Sequence, residues 1–233
     1  MIQVLSYNIR FGWKLSHILK WLSSQSRQFD VICLQEFPES KLGYIKSHLD
    51  SRYKSLFSHT FTIGKSVYGP LTLYDSSKLR PVYSTVLTLG TNFVEVALHM
   101  NKKPRTALVT RLANGEGEFV LTNAHLACLA VNKVRRKQLG VILEHLNHMV
   151  ESSKVAKVIL GDFNYTSFMK QRSLMQLMTK NNFINAYRSM THRLLFIKHQ
   201  LDYAFYQNCQ IKNVKVENLR YSDHFAVSFE VHF

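Results

Sequence analysis

The segment Val158-Ile159-Leu160-Gly161-Asp162-Phe163-Asn164 constrains this chain more than any other. An apolar run of strand type reaches a glycine, and a carboxylate and an amide follow two residues apart. Side chains alternate along extended backbone, so residues 162 and 164 point the same way, and the glycine lets the chain break away. Polar groups fixed at the end of a buried strand suit a rigid site better than a solvated loop. A plain strand ending in a Gly-Asp turn looks the same in isolation. What separates the two readings is that other polar clusters are placed in the same way along the chain.

Strand patterns recur at 2–8, 30–35, 53–60, 71–75, 82–88, 93–99, 105–112, 118–124, 155–160, 201–206, 211–217 and 225–232. Helical spacing interrupts them three times. Residues 15–27 carry Leu15, Ile18, Leu19 and Leu22, with Ser16 as a candidate N-cap. Residues 132–151 carry Leu139, Ile142, Leu143, Leu146 and Val150, and residues 170–181 carry Leu174, Leu177 and Met178. No Pro/Gly/Ser-rich linker divides the chain, so one domain over 1–233 is expected. Helices set between strands that otherwise follow each other directly imply an α/β fold, two packed sheets with helices outside. Strand-helix-strand from Asn8 to Glu36 is echoed from His125 to Asp162, which predicts a pseudo-symmetric sandwich with its site at one rim.

With 46% apolar residues, a sizeable core can form and wholesale disorder is excluded. The net charge of +15, from 30 basic and 15 acidic residues, favours a polyanionic partner: nucleic acid, anionic lipid or another phosphate-rich substrate. A generally basic, soluble surface is the blander explanation. The densest basic run, Arg135-Arg136-Lys137, falls on successive helix positions and is expected to be mostly a solvated face. Cys33, Cys128 and Cys209 form no CxxC pattern, which fits a reducing compartment. The N-terminus lacks signal-peptide character, and no run approaches the ~18 apolar residues of a membrane span. A monomeric cytoplasmic protein is expected, with delivery by a specialised secretion system left open.

Asn8 ends the first strand pattern, and Glu36 directly follows the buried run Val31-Ile32-Cys33-Leu34. A glutamate there must be solvated, paired or bound to metal, and oxygen ligation by few protein groups suits Mg²⁺. His125 ends Phe119-Val120-Leu121-Thr122-Asn123-Ala124; among 11 histidines its type alone says little. Asp202 is flanked by apolar residues and needs a partner. Asp223 and His224 precede the last strand and would face opposite sides if extended, Asp223 toward a metal and His224 toward a phosphate. Together these groups can hydrolyse a phosphodiester, which needs a positioned water, charge neutralisation and help for the leaving oxygen. Glu36 can hold Mg²⁺, and Asp162 can orient or deprotonate water. A His224–Asp202 pair gives control of tautomer and basicity, and Asn8, Asn164 and His125 can donate to phosphate oxygens.

In order along the chain stand Ser6-Tyr7-Asn8, Leu34-Gln35-Glu36, Asn123-Ala124-His125-Leu126, Gly161-Asp162-Phe163-Asn164, Leu201-Asp202-Tyr203 and Ser222-Asp223-His224. This set resembles the endonuclease/exonuclease/phosphatase superfamily. The resemblance implies a four-layer α/β sandwich and a divalent metal, Mg²⁺ or Mn²⁺, on Glu36, with Asn8 and Asp223 near it. It further implies nucleophile handling by Asp162, phosphate and water ligation by Asn164, a His224–Asp202 pair at the scissile phosphate, and a second phosphate-facing histidine at His125. That histidine matches the deoxyribonuclease-, sphingomyelinase- and phosphatase-like branches. Arg10 stands where the apurinic-endonuclease branch usually carries an aspartate, which argues against a dedicated abasic-site enzyme. The Gly69-Pro70-Leu71-Thr72 stretch lacks an asparagine that many members carry, which weakens any transfer of roles onto that strand.

Arg10, Arg105 (in the basic turn Lys102-Lys103-Pro104-Arg105), Arg188, Arg193 and Lys198 are candidate backbone-phosphate contacts, and Phe196 a candidate stacking or wedging residue. The competing reading of 187–199 is ordinary solvated charge over a core-facing apolar run. A Mg²⁺-dependent nuclease is the expected function. A phosphoinositide phosphatase or sphingomyelinase-like lipid hydrolase is the enzymatic alternative. A catalytically dead binding module is disfavoured by the presence of Glu36, Asp162, Asn164, Asp202, Asp223 and His224.

Overall fold

The computed structural model describes residues 1–25, 28–90, 104–128, 130–149, 154–194 and 197–233. The expected strand at 93–99, the basic pair Lys102-Lys103 and Phe196 lie outside these residues. Elements are numbered in chain order.

A seven-stranded sheet runs β14 (Gln210–Glu217), β15 (Ala226–His232), β1 (Ile2–Asn8), β2 (Val31–Pro38), β5 (Ser66–Asp75), β3 (Tyr53–Phe57), with β4 (Phe61–Ile63) also paired to β5. A six-stranded sheet runs β10 (Ile184–Asn185), β13 (Asp202–Gln207), β9 (Ala156–Asp162), β8 (Gly117–His125), β7 (Arg105–Asn114), β6 (Arg80–Gly90). Both sheets are mixed. β1 and β2 are parallel across helix α1 (Leu15–Ser24), and β8 and β9 are parallel across helix α3 (Asn132–His148). These are the two strand-helix-strand units anticipated from the sequence. Helices α2 (Leu42–His48) and α4 (Phe168–Lys180) complete the set among the described residues. A small ribbon, β11 (His192–Leu194) with β12 (Ile197–His199), stands apart from both sheets.

Period-two alternation assigns the layers. Ile2, Val4, Val31, Cys33 and Phe229 from the first sheet meet Leu112, Phe119, Leu121, Val158, Leu160 and Ala204 from the second, forming the central core. The intervening residues face outward on each side. Leu5, Tyr7, Ile32 and Leu34 take Leu15, Ile18, Leu19 and Leu22 of α1 and Ile45 of α2. Val120, Ala124, Ile159 and Phe205 take Leu139, Ile142 and Leu143 of α3 and Leu174 and Met178 of α4. Three cores between helix, sheet, sheet and helix make a four-layer α/β sandwich.

Two local expectations need correction. Ser16 does not cap α1; Lys14 holds that position without a side-chain bond, because the helix starts directly out of a preceding 3-10 turn over Arg10–Gly12. Gly161 does not end β9, which continues through Asp162. The glycine is needed because φ there is +126° and a Cβ would run into the Ala124 carbonyl on neighbouring β8. The run Arg135-Arg136-Lys137 is mostly solvated, as expected: Arg136 and Lys137 are exposed, while Arg135 is buried and donates to the backbone carbonyls of Ala127 and Cys128.

Candidate active site

Topology brings the polar strand ends to one rim. The parallel pairs β1–β2 and β8–β9 send Asn8, Glu36, His125 and Asp162 out at the same edge, with His125 opposite Asp162 in register. β13 runs antiparallel to β9 with Asp202 opposite Asp162, and β15 antiparallel to β1, so both start where the others finish. Alternation adds the second constraint. Asn8 continues the inward column of Ile2 and Val4, His125 that of Phe119 and Leu121, Asp162 that of Val158 and Leu160, and Asp202 that of Ala204. The site is the polar end of the central core. Just beneath it, Gln35 Nε2 donates to Asn123 Oδ1 across the sheets at 2.8 Å.

Glu36 breaks the alternation, which would place it on the helix side with Ile32 and Leu34. A bulge between Leu34 and Phe37 and a φ of +57° turn it into the rim instead. Asn164 is also left-handed, at φ +56°, a conformation asparagine tolerates. Its backbone N–H donates to Asp162 Oδ1 at 3.0 Å and its side-chain amide to the Leu126 carbonyl at 3.2 Å.

Asp162 is the hub. Its Oδ2 accepts from Asn8 Nδ2 at 3.0 Å and lies 3.6 Å from His125 Nε2 and 3.7 Å from His224 Nε2. Asn8 donates also to Glu36 Oε1 at 3.3 Å, while its own oxygen accepts the Arg10 N–H. The same amide therefore clamps both carboxylates. Burial pushes the carboxyl of Asp162 well above the usual range, with Asp202 and Glu36 adding and His224 and Asn8 opposing. Glu36 is likewise raised by burial, against His224, Asn8 and Arg105.

The two histidines are set in opposite directions. Burial would lower His224, but the carboxylates of Asp202 (2.8 Å from Nδ1) and Asp162 outweigh it and hold the ring above its ordinary value. His125 is pushed well below its ordinary value by burial, then by Arg105 and His224. Opposed neighbours in one site give one cationic and one neutral imidazole at neutral pH.

Asp223 stands outside the Glu36–Asp162 group. Its Oδ2 lies 3.4 Å from Arg10 Nε and 3.9 Å from His192 Nε2. His192 has no counterpart in the sequence expectations. It bridges to His224 through the backbone and meets its ring edge-on at 4.7 Å.

The expected substrate contacts fall around this centre. Arg10, Lys14, Arg193 and Arg220 line a cavity of about 290 Å³ with Asp223 and exposed Trp13, whose ring lies 4.4 Å from the Arg10 guanidinium. Arg172, Arg188 and Lys198 line a second cavity of about 800 Å³ with Phe168, Met175 and Met190. Arg193 and Lys198 are register partners on the ribbon, so it separates the two cavities. Arg105 is buried beside His125 instead of lying on the surface.

Glu36, His125 and Asp162 each offer an atom within 4.8 Å of the others. Two carboxylates that burial disfavours, sharing one amide donor, call for added positive charge, and a divalent cation with its own waters fits that donor set. His192, Asp223 and His224 form a second such group.

A four-layer sandwich with carboxylates, amides and a His–Asp pair at one rim is the architecture of a phosphoester hydrolase. The chain belongs to the Endonuclease/Exonuclease/phosphatase family, whose model matches residues 5–224. That family hydrolyses phosphoester bonds and generally uses a divalent metal. Among solved structures, a mannosyl-6-phosphatase of Bacteroides thetaiotaomicron superposes with TM-score 0.76 at 18% identity, covering 100% of each chain. A family protein from Leptotrichia buccalis gives 0.77 at 15%, again over 100% of both. ANGEL2, a 2′,3′-cyclic phosphatase in complex with adenosine-2′,3′-vanadate, gives 0.78 at 15%, covering 100% of this chain and 96% of its own. At these identities the likeness is one of fold. No curated protein sequence matches the chain. Among the described residues no helix is long and apolar enough to cross a membrane.

Proposed function

We propose that the protein is a divalent-metal-dependent phosphodiesterase that cleaves nucleic acid. The observation that carries this reading is the charge around the rim. Seven basic side chains (Arg10, Lys14, Arg193, Arg220, Arg172, Arg188, Lys198) line the two cavities flanking the ribbon, against one carboxylate, Asp223. Trp13 and Phe168 are exposed among them. Cationic walls interleaved with aromatic faces suit a phosphate backbone whose bases stack.

The residues divide the work. Glu36 holds the metal, which when bound supplies charge neutralisation at the phosphoryl oxygens. Asn8 fixes Glu36 against Asp162, and Asp162 orients the attacking water and takes its proton. Its elevated proton affinity suits that role. His224, cationic and held by Asp202, stabilises charge on the transferring phosphoryl group and its leaving oxygen. Asn164 and His125 donate to phosphate oxygens. Asp223, engaged by Arg10, lines the outer wall and is not assigned to the metal.

The solved relatives that act on a phosphosugar and on a 2′,3′-cyclic phosphate make a phosphatase the second reading. One panel at matched salt decides: plasmid DNA, single-stranded DNA, RNA, abasic duplex, a 2′,3′-cyclic nucleotide, mannose 6-phosphate, phosphoinositides and sphingomyelin. Nucleic-acid cleavage that chelator abolishes and Mg²⁺ or Mn²⁺ restores is expected. Turnover confined to lipid or sugar phosphate overturns the nuclease reading, and full activity in excess chelator removes the metal from it.

A further inference from the structure

Arg105 and His125 form a pair with one consistent proton assignment. Arg105 Nη1 lies 3.4 Å from His125 Nδ1, and both residues are buried. A guanidinium offers five N–H donors and no acceptor, and it stays protonated in proteins. The hydrogen bond therefore runs from Arg105 to Nδ1, which must present a lone pair. A neutral imidazole then carries its proton on Nε2. Nε2 is the atom that faces the rim, 3.7 Å from Glu36 Oε1 and 3.6 Å from Asp162 Oδ2. Phe61 braces both partners: the guanidinium sits 4.8 Å over its ring, and its ring meets the imidazole edge-on at 5.9 Å.

A metal-ligating histidine has the reverse arrangement. It turns a lone pair to the metal and donates its other N–H to an acceptor behind it. The group behind His125 is a donor with a fixed positive charge.

We infer that Arg105 is a positioning residue that locks His125 as the Nε2–H tautomer, so that His125 is a neutral hydrogen-bond donor to a phosphoryl oxygen and is barred from ligating the metal. The identity of that oxygen rests on the phosphoesterase reading; the tautomer does not. With His125 excluded, the Glu36–Asp162 centre offers only oxygen. Oxygen donors suit Mg²⁺ and Mn²⁺, whereas an imidazole lone pair there would favour Zn²⁺.

The test is long-range ¹⁵N–¹H correlation NMR of the histidine rings in the chelator-treated protein, which needs no substrate and no turnover. His125 is expected to show a protonated Nε2 and a lone-pair Nδ1, unchanged when Mg²⁺ is added. Arg105→Lys, which keeps a cationic donor, is expected to keep that pattern. Arg105→Met is expected to lose it and to bind Zn²⁺ about tenfold more tightly by calorimetry, the scale on which groups behind a ligand act. A protonated Nδ1 in the wild-type protein, or a Zn²⁺-induced shift of the wild-type His125 Nε2 resonance, overturns the inference. If Arg105→Met does not fold, the wild-type spectra decide alone. An absence of nucleic-acid cleavage would sink the nuclease reading and leave this assignment standing.

Discussion

His224 Nδ1 stands 2.8 Å from Asp202 Oδ2, and the pair is shared between the two sheets: Asp202 opens β13 of one, and His224 precedes β15 of the other. The geometry is fixed from several sides. Thr191 Oγ1 accepts the backbone N–H groups of both Leu201 and Asp202, and His192 bridges to His224. A carboxylate so placed sets the tautomer and charge of the ring it faces. Asp202→Asn is expected to fold and to lower kcat about 10²- to 10⁴-fold with KM little changed, as for other buried His–Asp pairs. Asp162→Asn and His224→Ala should remove turnover altogether. Steady-state kinetics on the substrate found in the panel, with circular dichroism as the fold check, measures this; full turnover in the latter two would refute the site.

The same pair makes metal-free stability depend on pH. The folded-state pKa of His224 is raised, to about 10, because Asp202 and Asp162 outweigh burial. A raised pKa contributes stability that is fully present below the unfolded value of about 6.5 and is lost as pH rises through the folded value. Asp202→Asn removes the main raising partner. The stability gap between wild type and Asp202→Asn, from urea melts in chelator, should therefore narrow steadily from pH 6.5 to pH 10. A gap that stays constant across that window contradicts the assignment.

Glu36 combines function with backbone strain. A left-handed φ of +57° costs a non-glycine residue about 1–2 kcal/mol, and glycine is free of that cost. In chelator, Glu36→Gly should be more stable than Glu36→Ala by about 1 kcal/mol. Adding Mg²⁺ should stabilise the wild type alone: at 100 times its dissociation constant a bound ion stabilises by about 2.7 kcal/mol, and only the glutamate protein gains it. Thermal melts of the three proteins with and without Mg²⁺ test both halves. Equal gains from Mg²⁺ in all three would dissociate Glu36 from the metal.

Gly161 carries a different kind of constraint. Its positive φ and the Ala124 carbonyl together leave no room for a side chain, and the clash is with backbone of the adjacent strand. Gly161→Ala must push β8 and β9 apart directly beneath His125 and Asp162. A loss of at least about 2 kcal/mol in denaturant melts is expected, a size typical of strain at a special backbone position. A variant of wild-type stability would mean the two strands can separate freely there.

Much of the candidate site is legible in the sequence because period two and strand ends suffice to place it. Asn8, His125, Asp162 and Asp202 each fall on the period-two continuation of an inward column, Asp162 and Asp202 one step from its apolar part and Asn8 and His125 two, past Ser6 and Asn123, so their common direction follows from alternation alone. Glu36 shares the rim only through a bulge, and bulges leave no mark in a periodicity. Helix α2 escaped notice because seven residues with one buried side chain, Ile45, carry too little period to read. His192 was hidden for a different reason: its partner His224 is 32 positions away, brought by a ribbon bridge that no local pattern announces. Helical spacing shows that Arg135, Arg136 and Lys137 do not share one side, but not which of them is buried: the chain before α3 turns back and offers Arg135 two carbonyls.

The basic walls predict a specific salt dependence. If Arg188 and Lys198 on one side of the ribbon, and Arg193 and Arg220 on the other, neutralise backbone phosphates, each contact releases counterions. For a single-stranded substrate the slope of log(kcat/KM) against log salt then falls by about 0.7 per contact removed. Arg188→Ala/Lys198→Ala and Arg193→Ala/Arg220→Ala should each flatten the slope by about 1.4 for an oligonucleotide. Neither is expected to alter hydrolysis of bis(p-nitrophenyl) phosphate, which carries no phosphate beyond the scissile one. A parallel loss on both substrates would place these side chains in the chemistry. Unchanged slopes in both double variants would mean the positive charge of this chain serves something other than a polyanion in the cleft.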